Sequence, residues 1–274
     1  MSLLTNSGIR KHLKDGGIVI EPFIEKQLNN TSYDLSLGSF AAFFRSDDEI
    51  EDLPNEKERI NAISYLRNNP EESSPALLKQ MGFWVPCSDD PVARYKIVDF
   101  SQAGFLALGS GQRVLMHSQE FAGGRRCVTT HLQATSTAGR LGITVCQCAG
   151  WGDVGYINRW TMEVTNHSPY PVVLPVGARL AQLCFHEVAM PDLGTSYEKQ
   201  GSYQNTADLD QLRAEWSPAN MIPKKMKVGG VMPGKDDAWW CWACLKGYEN
   251  SDARECLQCE RTLVSAGKVA RAWS

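Results

Sequence analysis

Two groups of residues in this chain have types and spacing that can do chemistry. The first is Cys241-x-x-Cys244 with Cys256-x-x-Cys259, eleven residues further on. Each pair aims two thiolates at one ion, and two pairs complete a tetrahedral four-sulfur site that suits structural Zn²⁺. Four thiolates leave no position for water, so this zinc would supply folding free energy to a segment with little else to form a core. The second group is polar. Ala134–Gly142 holds Thr135, Ser136, Thr137 and Arg140 among small residues. Hydroxyls, backbone N–H groups and one guanidinium can hold phosphate oxygens there, although an ordinary surface loop reads the same way. Glu163 follows in Trp160–Asn166, where alternation sets Trp160, Met162 and Val164 against Thr161, Glu163 and Thr165. A carboxylate in that place is either one more solvated strand residue or, if partly desolvated, a general acid/base. Asp153-x-Gly155, between them, reads as a turn.

The elements that must position these groups are mostly strands. The chain has 274 residues, 43% hydrophobic and 22% charged, with net charge −3, which fits one or two globular domains. It has no apolar run long enough to span a membrane and opens without a basic and then apolar leader, so we expect a cytoplasmic protein with reduced thiols. From Ser217 onward nine basic residues face six acidic ones, and the remainder is acidic. The Pro/Gly/Lys-rich run Ser217–Gly234 reads as a flexible linker. Strands are predicted at Tyr33–Leu37, Arg113–Met116, Gly142–Cys148, Trp160–Asn166, Val172–Leu174 and Arg179–His186, which as a set point to a sandwich or barrel. Helices are predicted after Ser7 up to Gly16-Gly17, over Glu56–Arg67 and over Ala207–Trp216, the last capped by Thr206.

Order and spacing add a resemblance. Ser136…Arg140-Leu141-Gly142…Asp153-Val154-Gly155-Tyr156…Glu163-x-x-Asn166 resembles, without a gap, the core of the dCTP deaminase branch of the trimeric dUTPase superfamily. Ser32-Tyr33-Asp34…Leu37-Gly38, Pro175-x-Gly177…Gln182-Leu183-x-Phe185 and Tyr197…Gly201-Ser202-Tyr203-Gln204 resemble flanking family elements in the expected order. The resemblance implies a mainly β fold, a distorted β-barrel of the dUTPase-like β-clip kind with a few short helices. It also implies a homotrimer with active sites shared between subunits. The implied chemistry is zinc-free hydrolytic deamination of dCTP to dUTP, with Mg²⁺ accompanying the triphosphate. Glu163 would shuttle protons, Ser136 would orient the water and Arg140 would stabilise charge. Thr137, Gln147, Asp153, Tyr197, Tyr203 and Gln204 would bind nucleotide. Alternatives are a less phosphorylated or base-modified cytosine nucleotide as substrate, dUTP pyrophosphatase activity, or a catalytically silent protein that senses nucleotides or binds nucleic acid. Trp239 to Cys259 resembles the RanBP2-type zinc finger, a family that binds proteins or single-stranded nucleic acid.

The chain departs from the dCTP deaminase pattern where charge matters. Thr135 and Ser202 stand where the family has arginine and lysine, and Gly150-Trp151-Gly152 replaces His-Arg-Ile. Arg125, Arg126 and Lys199 are the candidates to restore the lost positive charge. The expected organisation is a deaminase/dUTPase-like domain over 1–206, a helix and basic linker over 207–236, a zinc ribbon over 237–264 and a tail over 265–274.

Overall fold

The structure, a computed structural model, describes residues 1–46, 49–50, 53–69, 80–84, 86 and 90–226, and the backbone of 238–241, 246–249 and 264–265. The chain forms two units: Met1–Phe44 with Tyr95–Lys224, and Arg45–Arg94 with Lys225–Ser274. Strands of the first unit are β1 (Ser2–Leu3), β2 (Ile18–Glu21), β3 (Tyr33–Phe44), β4 (Tyr95–Asp99), β5 (Phe105–Leu108) and β6 (Arg113–Gly124). They continue with β7 (Val128–Ala134), β8 (Ile143–Thr144), β9 (Trp151–Gly152), β10 (Ile157–Asn166), β11 (Val172–Pro175) and β12 (Arg179–Glu187). Helices are α1 (Asn6–Lys14), α2 (Glu56–Asn68), α3 (Ser136–Arg140), α4 (Tyr197–Gln200) and α5 (Leu209–Glu215), with α2 in the second unit.

Ten strands form one antiparallel sheet, ordered β8-β10-β6-β3-β12-β7-β9, with β1 on β12, β2 on β6 and β4 on β3. The twelve-residue β3 joins its two halves: residues 33–36 pair with β12, and Phe40–Phe44 pair with β4. A strand that changes partners along its length curls the sheet, here into a half barrel around Tyr33, Leu35, Leu37, Met116, Leu132, Met162 and Phe185, all fully buried. The polar face of β3 is buried as well. Gln27 donates to the Asp34 carbonyl, to Ser36 Oγ and to Glu120, and Glu120 accepts the Ser36 N–H. Alternation predicts a half-buried strand there; this hydrogen-bonded layer covers the other half.

Several boundaries differ from expectation. Only Ile143–Thr144 of the predicted strand Gly142–Cys148 pairs, because the chain turns away into a loop in which Cys148 has φ 65°. Thr5, not Ser7, takes the N-cap position of α1. Asp208 caps α5 by accepting the Gln211 N–H at 2.8 Å, and Thr206 instead bonds the Asp208 N–H. Within Ala134–Gly142, Ser136–Arg140 forms the short helix α3, whose N-cap Thr135 accepts the Ala138 N–H at 3.3 Å. The first residues of the expected linker, from Ser217 to Lys224, are packed. Pro218–Met221 forms a 3-10 turn, Met221 and Ile222 are buried, and the first unit runs to Lys224.

In the second unit, α2 opens with a capping box between Asn55 and Glu58, and Ile60 and Ile63 of its apolar stripe are exposed. Three short strands, β13 (Ala238–Cys241), β14 (Lys246–Glu249) and β15 (Val264–Ser265), form an antiparallel sheet with Cys241 opposite Lys246. The expected zinc ligands Cys244, Cys256 and Cys259 lie outside the described residues, and Cys241 is described by its backbone alone.

Candidate active site

Glu163 stands on β10 as alternation requires: Trp160, Met162 and Val164 are buried, while Thr161 and Glu163 are half-buried. β6 sets Leu115 opposite Glu163 and Arg113 opposite Thr165. One carboxylate oxygen, Oε2, accepts the backbone N–H of Gln147 at 2.9 Å, and the Gln147 amide donates to Thr165 Oγ1 at 3.2 Å. The other oxygen has no hydrogen bond among the described residues. Gln147 therefore serves by pinning its loop to the carboxylate. In the same loop Cys146 donates to the Leu132 carbonyl, and burial together with the Glu163 charge pushes its thiol pKa up. It stays protonated at neutral pH and packs.

Glu163 opens into a cavity of about 320 Å³. Asp153, Tyr197 and Tyr203 share its wall, so four of the expected site residues meet here. The Asp153 turn closes through Tyr156 N–H to the Asp153 carbonyl at 3.0 Å, with Gly155 at φ 97°. A Cβ on Gly155 would lie 2.1 Å from the Glu198 carboxylate, so glycine lets the α4 segment pack on the turn. Tyr197 N–H donates to the Val154 carbonyl at 3.0 Å, and its ring meets Tyr156 edge-on with centroids 4.9 Å apart. Burial raises the pKa of both phenols, so each remains a neutral hydroxyl.

Three sets of expected residues lie elsewhere in this chain. Gln204 does not line the cavity. It is buried behind it, accepting the Ile157 N–H at 2.7 Å and donating to the Gly155 and Thr206 carbonyls. That makes it a clamp holding the C-terminal segment to β10. Ser136, Thr137 and Arg140 are exposed on α3, outside the cavity of their own chain. Of the candidate replacement cations, Arg125 donates to the Ala207 carbonyl, Arg126 donates to the Asp15 carbonyl, and none of Arg125, Arg126 and Lys199 lines the cavity.

The cations that do line it are Arg113 and Arg159. Carrying the Thr161–Glu163–Thr165 alternation two residues back reaches Arg159, a signal present in the sequence and unused. Beyond α5, Trp216, Asn220, Met221 and Pro223 complete the wall. Trp216 packs on the buried His117, ring centroids 4.7 Å apart, and on Phe40. Among the described residues no three His, Cys, Asp or Glu side chains cluster as a metal site, and no helix is long and apolar enough to cross a membrane.

Known proteins place this arrangement. A protein from Dictyoglomus thermophilum named "dCTP deaminase, dUMP-forming" is 26% identical over 206 residues, covering 74% of this chain and 90% of its own. One of the same name from Methanopyrus kandleri is 27% identical over 212 residues, covering 74% and 91%. A solved 2'-deoxycytidine 5'-triphosphate deaminase from Agrobacterium tumefaciens matches at 20% identity and a TM-score of 0.45, over 68% of this chain and 48% of that one. The model of the dCTP deaminase-like family matches residues 3–83 and 85–188, and the chain belongs to that family of hydrolytic enzymes.

Proposed function

We propose that this protein hydrolytically deaminates dCTP and carries the product on to dUMP. The observation that carries the reading is Glu163 itself: one oxygen fixed by the Gln147 N–H, the other free at the cavity wall. A carboxylate so held can take a proton from water as the oxygen adds to cytosine C4. It then returns protons to N3 and to the leaving amine. Water is consumed and ammonia released, giving dUTP. A second water attacking the α-phosphorus would release pyrophosphate and leave dUMP, and Asp153, an exposed carboxylate on the same wall, is the group to bind that water. The dUMP-forming names of the relatives support this second step over the dUTP end-point implied by motif resemblance. Mg²⁺ would arrive with the triphosphate. Ser136 and Arg140 would come from the α3 of a neighbouring copy in a homotrimer, which their exposure away from the cavity supports. Cys241, Cys244, Cys256 and Cys259 would bind one structural zinc and present a small surface to a protein or a single-stranded nucleic acid.

The test measures ammonia and pyrophosphate from dCTP, dUTP, dCDP and dCMP. Equal ammonia and pyrophosphate from dCTP is expected, with turnover lost at least ~10²-fold in Glu163→Gln while nucleotide binding persists. Ammonia without pyrophosphate would limit the activity to dUTP formation. Near-normal turnover by the variant would remove Glu163 from the chemistry.

A further inference from the structure

Arg159 lines this cavity and forms no ion pair among the described residues. Its guanidinium lies between two rings, the carbon 5.3 Å from the Phe121 centroid and 4.6 Å from that of Trp216. It is half-buried, its Nε is buried without a hydrogen-bond partner, and no described side chain accepts from its terminal nitrogens. Burial lowers its pKa, and the field that opposes this comes from Glu120. Glu120, however, is committed to Gln27 and to the Ser36 N–H. A half-buried guanidinium flanked by two rings still offers N–H donors to the cavity, and a planar guanidinium edge matches two oxygens of a phosphate. Arg113 adds an exposed second cation to the same wall, 5.9 Å from the Phe44 ring.

From this geometry we infer that Arg159, flanked by the Phe121 and Trp216 rings, binds the phosphate chain of the substrate in the Glu163 cavity. The inference rests on the nucleotide-deaminase reading and gives it a phosphate contact from the same chain as the catalytic carboxylate. It also explains how the chain can do without basic residues at 135 and 202. Thr135 is committed as a helix cap, and neither residue lines the cavity. Trp216 then has a defined task. It lies beyond residue 188, where the family match ends, and closes the stack over the guanidinium.

The test uses inorganic tripolyphosphate as the probe, titrated calorimetrically into the full-length protein and into Arg159→Met, which keeps an unbranched chain between the two rings. Loss of one charge-assisted bidentate contact should weaken tripolyphosphate binding about 10- to 100-fold. The KM for dCTP should rise to match, and kcat should change much less. The loss in kcat/KM for dCTP should exceed that for deoxycytidine at least tenfold. Arg159→Lys, which keeps the charge without the fork, should fall between; it also serves as the test variant if the Met protein does not fold. Equal tripolyphosphate affinity in wild type and both variants would overturn the inference. So would a KM that rises as much for deoxycytidine as for dCTP. Failure of the parent reading is distinct: the wild type would release no ammonia from any cytosine nucleotide, yet would bind tripolyphosphate through Arg159.

Discussion

Beneath Trp216 lies His117, whose environment decides its charge. It is fully buried on β6, and its ring occupies space that any side chain at Gly38 would fill, an added Cβ falling 1.9 Å away. Nδ1 lies 2.8 Å from the Ser118 carbonyl and Nε2 3.3 Å from the Phe40 nitrogen, which assigns the proton to Nδ1 and leaves Nε2 to accept. Burial first, and Arg159 less, lower its pKa to about 4, the Ser118 carbonyl opposing them. In the unfolded chain the imidazole titrates near 6.5. Above that pH both states are neutral and the group adds no pH dependence. As pH falls from about 6.5 toward 4, only the unfolded chain takes the proton, and stability drops by roughly 1.4 kcal/mol per pH unit. Denaturant midpoints at pH 7 and pH 5 should therefore differ by ~2 kcal/mol more in wild type than in His117→Gln. An unchanged difference would mean that the ring is protonated in the folded protein.

At the scale of elements, what was legible followed from period. β3, β10 and β12 were readable because each carries an alternating apolar run (Tyr33, Leu35 and Leu37; Trp160, Met162 and Val164; Ala181, Leu183 and Phe185), and α2 because its stripe recurs at helical spacing. Glu163, Asp153, Tyr197 and Tyr203 were legible through motif order, and they do share a wall. Motif order did not show that Gln204 is buried behind the wall or that Arg159 lines it. Which residue of a docked segment faces a cavity depends on long-range packing, here the C-terminal segment crossing β10. The same packing explains the misplaced linker. Composition marks Ser217–Gly234 as loose, yet α5 buries Leu212 against Phe121 and Ile157, Met221 and Ile222 are each 3% exposed, and Lys224 N–H donates to the Tyr203 hydroxyl at 3.2 Å. Burying Met221 and Ile222 contributes ~1.5–3 kcal/mol each. A chain ending at Trp216 should therefore lose most deamination, because part of the cavity wall goes with it. One ending at Met226 should retain turnover within a few-fold, and elemental analysis should find one zinc per full-length chain and none in the shortened one. Full activity in the shorter chain would remove the Pro218–Pro223 segment from the site. Zinc retained by the Met226 chain would place the metal elsewhere.

For the whole molecule, the division of the expected catalytic set is the informative fact. Glu163 faces a cavity built from β10, the Asp153 turn and the C-terminal segment, whereas Ser136, Thr137 and Arg140 stand exposed on α3 outside it. Under the proposed function, a single chain offers half a site on each of two surfaces, and a closed ring of copies, each placing its α3 over its neighbour's cavity, would complete every one. This heterologous arrangement can be counted. Arg140→Ala and Glu163→Gln proteins should each be inactive alone. After subunits are exchanged at equal amounts, a site works only when its α3 comes from the Glu163→Gln chain and its cavity from the Arg140→Ala chain. Random mixing gives that combination at about one quarter of sites, so activity should return to roughly 25% of wild type. If α3 served the cavity of its own chain, every site would carry one defect and none would recover. Silence in a mixture whose exchange has been verified by mass would therefore assign both halves to one chain. Recovery near one quarter would establish that each site is built from two chains.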